Sequence, residues 1–219
     1  MQYFKSRAEA GELLAQKLVP KYRYENCAVV CLSDGGVMVG AQIAIELHCV
    51  LTMLLTAPII LPRENDVLAA VNQEGNMAYN DMYSAGELEG MQSEYRTYIE
   101  QERIQKMHDL NSLLGDGGLI RKDLLVGHNI ILVSDGLNSG FSLDAAADFL
   151  KPVRIEKLIV ATPMASVPAV DRMHILADEI YCLNVVTDYF TTDHYYEAHD
   201  VPDHDAVIKT IQNVVLHWQ

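Results

Sequence analysis

Short apolar runs alternate with amphipathic stretches along most of the chain. The runs that predict strands covered on both faces of a sheet are residues 28–32, 129–133, 157–161 and 179–183. Apolar residues at helical spacing predict helices over residues 4–18, 37–47, 143–150, 167–177 and 206–216. Pro20 is expected to end the first helix. Strands that alternate with helices of these lengths favour an α/β fold, with a largely parallel sheet between two layers of helices.

One part of the chain departs from this alternation. The elements predicted there are a strand at 50–55, a hairpin of strands 67–71 and 77–79 around the turn 73–76, and a long polar helix at 92–114 that glycines at 115–118 end. The apolar side of this helix includes Tyr95, Tyr98, Ile99 and Met107. It could pack on the domain or on a second copy, so a homodimer is one prediction. We expect a single domain over residues 1–219, with an insert at about 62–118.

The charge of the chain narrows the choice of partners. Its 219 residues include 16 Lys and Arg against 30 Asp and Glu, a formal net charge of −14. A negative field repels polyanions, so nucleic acid and anionic membrane surfaces are poor partners, and the excess charge favours solubility. Phosphorylated small molecules would need a site that restores positive potential locally.

Cysteine usage and the terminus predict an intracellular protein. Cys27, Cys31, Cys49 and Cys182 lack the close pairs of a zinc site, so we expect buried free thiols. The first residues are charged and amphipathic rather than signal-like. The apolar stretch at 50–61 contains Pro58 and is too short to cross a bilayer. The chain is therefore expected to be cytoplasmic.

The loop after the strand at 129–133 is the strongest candidate site. Ligands of parallel sheets bind beyond the carboxyl ends of strands. Glycines, hydroxyls and a helix N-terminus in such a loop can bind an anion through backbone N–H groups, with a serine, Ser139 or Ser142, as helix cap. Asp135 could accept hydrogen bonds from sugar hydroxyls or hold a divalent ion. The residues predicted to bind ligand are Ser134, Asp135, Gly136, Leu137, Asn138, Ser139, Gly140, Phe141 and Ser142.

This loop resembles the ribose-phosphate-binding motif of the type I phosphoribosyltransferases, and the whole chain resembles an uncharacterised bacterial branch of that family. The opening motif of that branch is matched by Phe4, Arg7, Ala10, Gly11, Leu14 and Ala15. Later motifs are matched in part by residues 32–37, by Ala57 and Pro58, and by residues 195–198. The resemblance implies a parallel-sheet type I phosphoribosyltransferase-like fold with an inserted hairpin and long helix.

The same resemblance implies a reaction and a set of site residues. The family displaces pyrophosphate from phosphoribosyl diphosphate with a nitrogen base. It uses magnesium, two acidic residues on the ribose, amides on the 5′-phosphate and cations near the pyrophosphate. Asp135 matches the second acid and is the implied catalytic residue and magnesium ligand. Ser134 stands where the first acid is usual.

The pyrophosphate side departs further from the family. The positions that correspond to its pyrophosphate loop are Ser33, Asp34, Gly35 and Gly36. Asp34 replaces an arginine, which exchanges a phosphate donor for an anion. Leu54 replaces a lysine, and Arg63 is a possible compensating cation. These losses predict a degenerate pyrophosphate site beside a retained phosphate loop.

Three functions therefore compete. The favoured hypothesis is a binder of ribose 5′-phosphate or a nucleotide, with weak or no transferase activity. The alternatives are an active magnesium-dependent phosphoribosyltransferase and a structural subunit that binds no ligand. The tail at 193–205 gathers histidines and carboxylates that match no metal site and is expected to be a solvated loop. By analogy with the family, its Tyr195 and Tyr196 would close over a bound base.

Overall fold

A computed structural model describes residues 3–62, 67–80, 83–114 and 122–214. The helices are α1 (Arg7–Tyr22), α2 (Asp34–Leu47), α3 (Ala85–Glu94), α4 (Arg96–Leu114), α5 (Phe141–Leu150), α6 (Val167–Leu176) and α7 (His204–Asn213). The strands are β1 (Cys27–Cys31), β2 (Val50–Met53), β3 (Thr56–Ile60), β4 (Val67–Asn72), β5 (Met77–Tyr79), β6 (Asn129–Val133), β7 (Lys157–Ser166) and β8 (Glu179–Val186). Arg63, the turn at 115–118 and the predicted helix end at Leu216 lie outside the described residues.

The main sheet is parallel, as predicted, with the strand order β2-β1-β6-β7-β8. Successive side chains of a strand point to opposite faces, and both faces are covered. Val29 and Ile131 pack in one cluster with residues of α1, α2 and α7. Val30 and Ile130 pack in another with residues of α5 and α6. This two-sided burial is why these strands are continuous apolar runs.

The inserted region forms a second, antiparallel sheet with the order β3-β4-β5. The hairpin of β4 and β5 confirms the predicted one. Strand β3 was not predicted, because residues 50–61 form one apolar stretch; Pro58 is tolerated in it because β3 is an edge strand. The predicted long helix is two helices, and α3 begins at a capping box formed by Ser84 and Glu87.

The apolar side of α4 packs on this second sheet. Ile99 is buried, and the Tyr98 hydroxyl donates to the backbone carbonyl of Ile60 at 3.0 Å. Of the two alternatives left open for this side, the structure shows packing on the chain itself. A homodimer stays a prediction.

Several predicted boundaries were wrong. Helix α1 continues through Pro20 to Tyr22; the bond that proline cannot donate would have gone to the carbonyl of Gln16, which lies on an exposed residue where water can replace it. Strands β7 and β8 run longer than predicted. Because β1 and β6 are parallel neighbours, the loops that follow them meet at one edge of the main sheet.

Candidate functional site

The two loops singled out from the sequence are directly bonded to each other. The Ser33 hydroxyl donates to Asp135 Oδ1 at 2.8 Å and accepts the Gly36 N–H at 2.9 Å as the N-cap of α2. A β-carbon on Gly35 would lie 2.0 Å from Asp135 Oδ2, so only glycine leaves room for this carboxylate. Asp135 thus projects towards the start of α2.

Arg7 supplies the charge that opposes Asp135. Its Nε donates to Asp135 Oδ2 at 2.9 Å, and its other guanidinium nitrogens bond to the carboxylates of Asp193 and Asp200. The Arg7 side chain is only 2% exposed, and its guanidinium lies 4.4 Å from the ring centroid of Tyr196. Burial opposes the charged form, but the hydrogen bonds to Asp193 and Asp135 outweigh it and raise the pKa of Arg7.

A segment near the C-terminus encloses this ion-pair cluster. The backbone of Phe4 is paired with residues 195–197, and the Tyr196 hydroxyl donates to the backbone carbonyl of Asp135 at 2.6 Å. Burial, followed by repulsion from Asp135, raises the pKa of Tyr196. Tyr195 and Tyr196 are both buried in a core cluster. The expectation that they close over a base was therefore wrong, because their rings pack inside the protein.

The same segment covers the first glycine of the candidate loop. A β-carbon on Gly136 would lie 2.3 Å from the Tyr189 hydroxyl and 2.9 Å from a carbon of Thr192. Burial raises the pKa of Tyr189 to about 12, so the hydroxyl stays protonated at neutral pH. The tail at 193–205, predicted to be a solvated loop, also packs against the site through Asp193 and Tyr196.

Asp34 pairs with a residue that the sequence did not suggest. Its Oδ1 lies 2.8 Å from Nδ1 of His204, at the start of α7. The carboxylate also lies in the first turn of α2, where the helix dipole favours a negative charge. Leu54, at the family's lysine position, is fully buried in the core. These positions provide no cation for pyrophosphate.

The second half of the candidate loop is more exposed than the first. The Leu137 backbone is bonded on both sides to β7, and the Ser134 hydroxyl donates to the Gly136 carbonyl at 2.9 Å. Beyond these anchors the loop reaches α5, whose N-cap is Gly140 in a left-handed conformation, with φ 73° and no side-chain cap. The prediction of a serine cap was thus wrong. Ser139 accepts only a long bond, 3.4 Å, from the Phe141 N–H.

This end of the loop carries a group of backbone donors. The N–H groups of Asn138, Ser139, Gly140 and Ser142 have no hydrogen-bond partner within the described residues. Asn138, Ser139, Phe141 and Ser142 line a cavity of about 680 Å³ between the main sheet and the second sheet. Thr56, Pro58 and Ala70, of β3 and β4 in the second sheet, also line it. Backbone donors at a helix N-terminus are suited to an anion such as phosphate.

The charges of the described residues in this cavity wall nearly cancel one another. Asp144 of α5 accepts a 2.6 Å hydrogen bond from Arg172 Nε of α6, and Glu87 of α3 contributes a further carboxylate. Gly140 lies against this pair, since a β-carbon there would be 3.0 Å from the Arg172 Cβ. Asp135 is not among the residues that line the cavity.

The residues present do not fit the magnesium ion that the family resemblance implies. Both carboxylate oxygens of Asp135 are already bonded, to Ser33 and to Arg7. Ser134, at the position of the first acid, directs its hydroxyl to the backbone. In the described part of the chain, no group of three or more His, Cys, Asp or Glu side chains could hold a metal ion.

Several site residues could not be assigned from sequence. Arg7 belongs to the opening motif, and it lies on the same helical stripe as the buried Ala10, Gly11 and Leu14. A charged residue on a buried stripe must find charged partners, which was the available signal. His204 and Arg172 carried no comparable signal.

The cysteines are as expected from the sequence. All four are free; Cys27, Cys31 and Cys49 are buried, and Cys182 is half-buried. Burial raises the pKa of each thiol. None of the described helices combines the length and apolar character needed to cross a membrane.

Comparisons with known proteins agree with this fold. The chain is 23% identical over 209 residues, 95% of its length, to proteins from two strains of Mycobacterium tuberculosis, each named "Putative phosphoribosyl transferase". The chain spans about half, 46%, of the length of these relatives. No family model matches the sequence.

Two solved structures share the fold over nearly the whole chain. TT1426 from Thermus thermophilus has a TM-score of 0.73 at 24% identity, covering 96% of this chain and 98% of that one. A hypothetical protein from Neisseria gonorrhoeae with bound ppGpp has a TM-score of 0.50 at 11% identity, covering 95% and 96%. The chain thus has the predicted type I phosphoribosyltransferase-like fold, and its sequence is similar to that of the putative phosphoribosyl transferases named above.

Proposed function

We propose that this protein binds a ribose 5′-phosphate or nucleotide ligand and has weak or no transferase activity. One observation carries the proposal: the N–H groups of Asn138, Ser139, Gly140 and Ser142 have no partner within the described residues. They lie where the resembling family holds a 5′-phosphate. The neighbouring cavity, about 680 Å³, is of the size that small-molecule sites have.

The groups needed for catalysis support the second half of the proposal. Asp135, the remaining acid, is bonded to Ser33 and Arg7 and lies outside the cavity wall. Asp34 places a carboxylate at the pyrophosphate loop, and Leu54 is buried where the family has a lysine. The pyrophosphate leaving group would therefore lie against a loop that neither neutralises its charge nor orients it.

Ligand binding is tested by thermal unfolding and calorimetry with ribose 5-phosphate, AMP, GMP, ppGpp and phosphoribosyl diphosphate. The tetraphosphate is included because the gonococcal protein of similar fold has it bound. A ligand at a hundred times its Kd adds about 2.7 kcal/mol of stability. For a chain of this size, that is a rise in Tm of about 5–11 °C. No shift with any of these ligands would refute the binding proposal.

A negative charge placed beside the N–H groups of residues 138–142 tests whether the ligand binds there. Ser139→Asp brings a carboxylate next to the expected phosphate, and at 4 Å two like charges repel by about 4 kcal/mol at a surface-like dielectric. We expect at least a tenfold increase in Kd. Ser93→Asp is the matched control, because Ser93 is also an exposed serine but lies in α3 outside this cavity. Equal affinities of the two variants would show that the ligand binds elsewhere.

Transferase activity is measured as pyrophosphate release from phosphoribosyl diphosphate with a set of purine and pyrimidine bases. We expect no release above that of the Ser139→Asp variant. Base-dependent release that this variant lacks would instead support an active phosphoribosyltransferase.

A further inference from the structure

We propose that this protein binds its phosphorylated ligand without a divalent metal ion, because the guanidinium of Arg7 occupies the carboxylate that such an ion would need. The inference rests on the proposed binding function and specifies its ionic requirement. It follows from the disagreement between the family resemblance, which implies magnesium, and the donors that this chain presents around Asp135.

Asp135 is turned away from the cavity, and both of its carboxylate oxygens accept hydrogen bonds from the protein. Oδ1 accepts the Ser33 hydroxyl at 2.8 Å, and Oδ2 accepts Arg7 Nε at 2.9 Å. The close approach of Oδ2 to Gly35 fixes the carboxylate against the start of α2. A metal ion at Asp135 would have to share the carboxylate with both donors and lie beside the Arg7 guanidinium, and the neighbouring Ser134 hydroxyl is already bonded to the carbonyl and the N–H of Gly136.

Arg7 is not placed to give way. Its backbone N–H and its Nη1 both donate to Asp200 at 3.1 Å, and Nη2 bonds to Asp193. The ring of Tyr196 covers the guanidinium. Moving Arg7 away from Asp135 would break a buried ion pair and its contacts to Asp193 and Asp200, and leaving it in place would set a divalent cation beside a permanent positive charge.

The first test compares ligand affinities with and without metal. The Kd of GMP and of ribose 5-phosphate is measured by calorimetry in excess magnesium chloride and in EDTA. The expected result is two values within threefold of each other. Tightening by more than threefold in magnesium would overturn the inference. If neither ligand binds under either condition, the proposed function fails, and the second test decides the metal question alone.

The second test uses Mn²⁺ without ligand, followed by electron paramagnetic resonance. The acidic surface is expected to bind the ion weakly, and equally in the wild type and in Asp135→Asn. A site present in the wild type and absent from Asp135→Asn would overturn the inference. Arg7→Gln frees the carboxylate and is expected to gain a Mn²⁺ site that the Arg7→Gln/Asp135→Asn double variant lacks.

Absence of that gain in a folded Arg7→Gln protein would contradict the role assigned to Arg7. Circular dichroism establishes whether the variant is folded. If Arg7→Gln does not fold, the comparison of wild type with Asp135→Asn still decides between a metal-free and a metal-binding Asp135.

Discussion

Replacing Arg7 by methionine should destabilise the protein more than any change of a surface ion pair. Methionine keeps much of the side-chain length but removes the charge that opposes Asp135. Both side chains of this pair are nearly buried, at 2% and 11% exposure, and breaking a buried pair from one side costs about 3–5 kcal/mol. The contacts to Asp193 and Asp200 add little, since those carboxylates are 56% and 26% exposed.

We therefore expect Arg7→Met to lose about 4 kcal/mol of unfolding free energy, from a total that for a domain is typically about 5–15 kcal/mol. Urea denaturation at neutral pH, followed by circular dichroism, measures the loss directly. In thermal unfolding it corresponds to a fall in Tm of about 8–16 °C.

The matched control is Arg23→Met. Arg23 also bonds to a carboxylate, Glu46 at 3.4 Å, but their side chains are 31% and 54% exposed. The control is expected to lose less than about 1 kcal/mol. A loss below about 1 kcal/mol for Arg7→Met, or equal losses in the two variants, would refute the reasoning that the buried cluster holds this end of the sheet together.

Two further changes test the start of α5 and the ion pair between Glu179 and Lys21. Gly140→Ala should cost about 1–2 kcal/mol, because a left-handed φ of 73° opposes a β-carbon, and should weaken ligand binding. Gly127→Ala has the same φ but open space around it, so thermal unfolding should show a loss no larger than that of Gly140→Ala, with ligand affinity unchanged; a parallel affinity loss would contradict this. Glu179 has its pKa lowered to about 2, chiefly by its hydrogen bond to Lys21. Because folding lowers this pKa, the ionised Glu179 carboxylate stabilises the fold at pH values above its ordinary pKa of 4.5. This contribution to stability is lost as the pH falls through 2. Glu179→Gln should therefore be less stable than wild type by about 1 kcal/mol at neutral pH and equal to it near pH 2 in urea denaturation, whereas a pH-independent difference would contradict the assignment.

The main sheet could be predicted because its physical cause is local. Strands buried on both faces must be apolar at successive positions, and β1 and β6 largely are, so their type follows from local composition. Their parallel arrangement follows from the alternation of strands with helices. The loop after β6 could be predicted as a candidate site from the same pattern, because ligands of parallel sheets bind beyond the carboxyl ends of strands.

The remaining errors arise where distant parts of the chain decide the structure. Strand β3 exists because β4 pairs with it, and nothing within its own five residues separates it from β2. The partners of Arg7 lie 128, 186 and 193 positions away in the sequence. Tyr196 would be expected to be exposed in an acidic tail, but it is buried because Phe4 pairs with the strand-like backbone beside it.

The two helix N-termini at the site differ in a way that favours one phosphate over two. Helices α2 and α5 follow the neighbouring strands β1 and β6, so both could present backbone donors to a ligand. At α2 the protein's own side chains occupy the helix N-terminus. The Ser33 hydroxyl caps the helix, and Asp34, paired with His204, places a carboxylate in its first turn. Helix α5 has no side-chain cap and begins at Gly140. A ligand with one phosphate would supply the missing acceptor at the start of α5, whereas the pyrophosphate of a phosphoribosyl diphosphate would meet the Asp34 carboxylate at a start of α2 that Ser33 already caps.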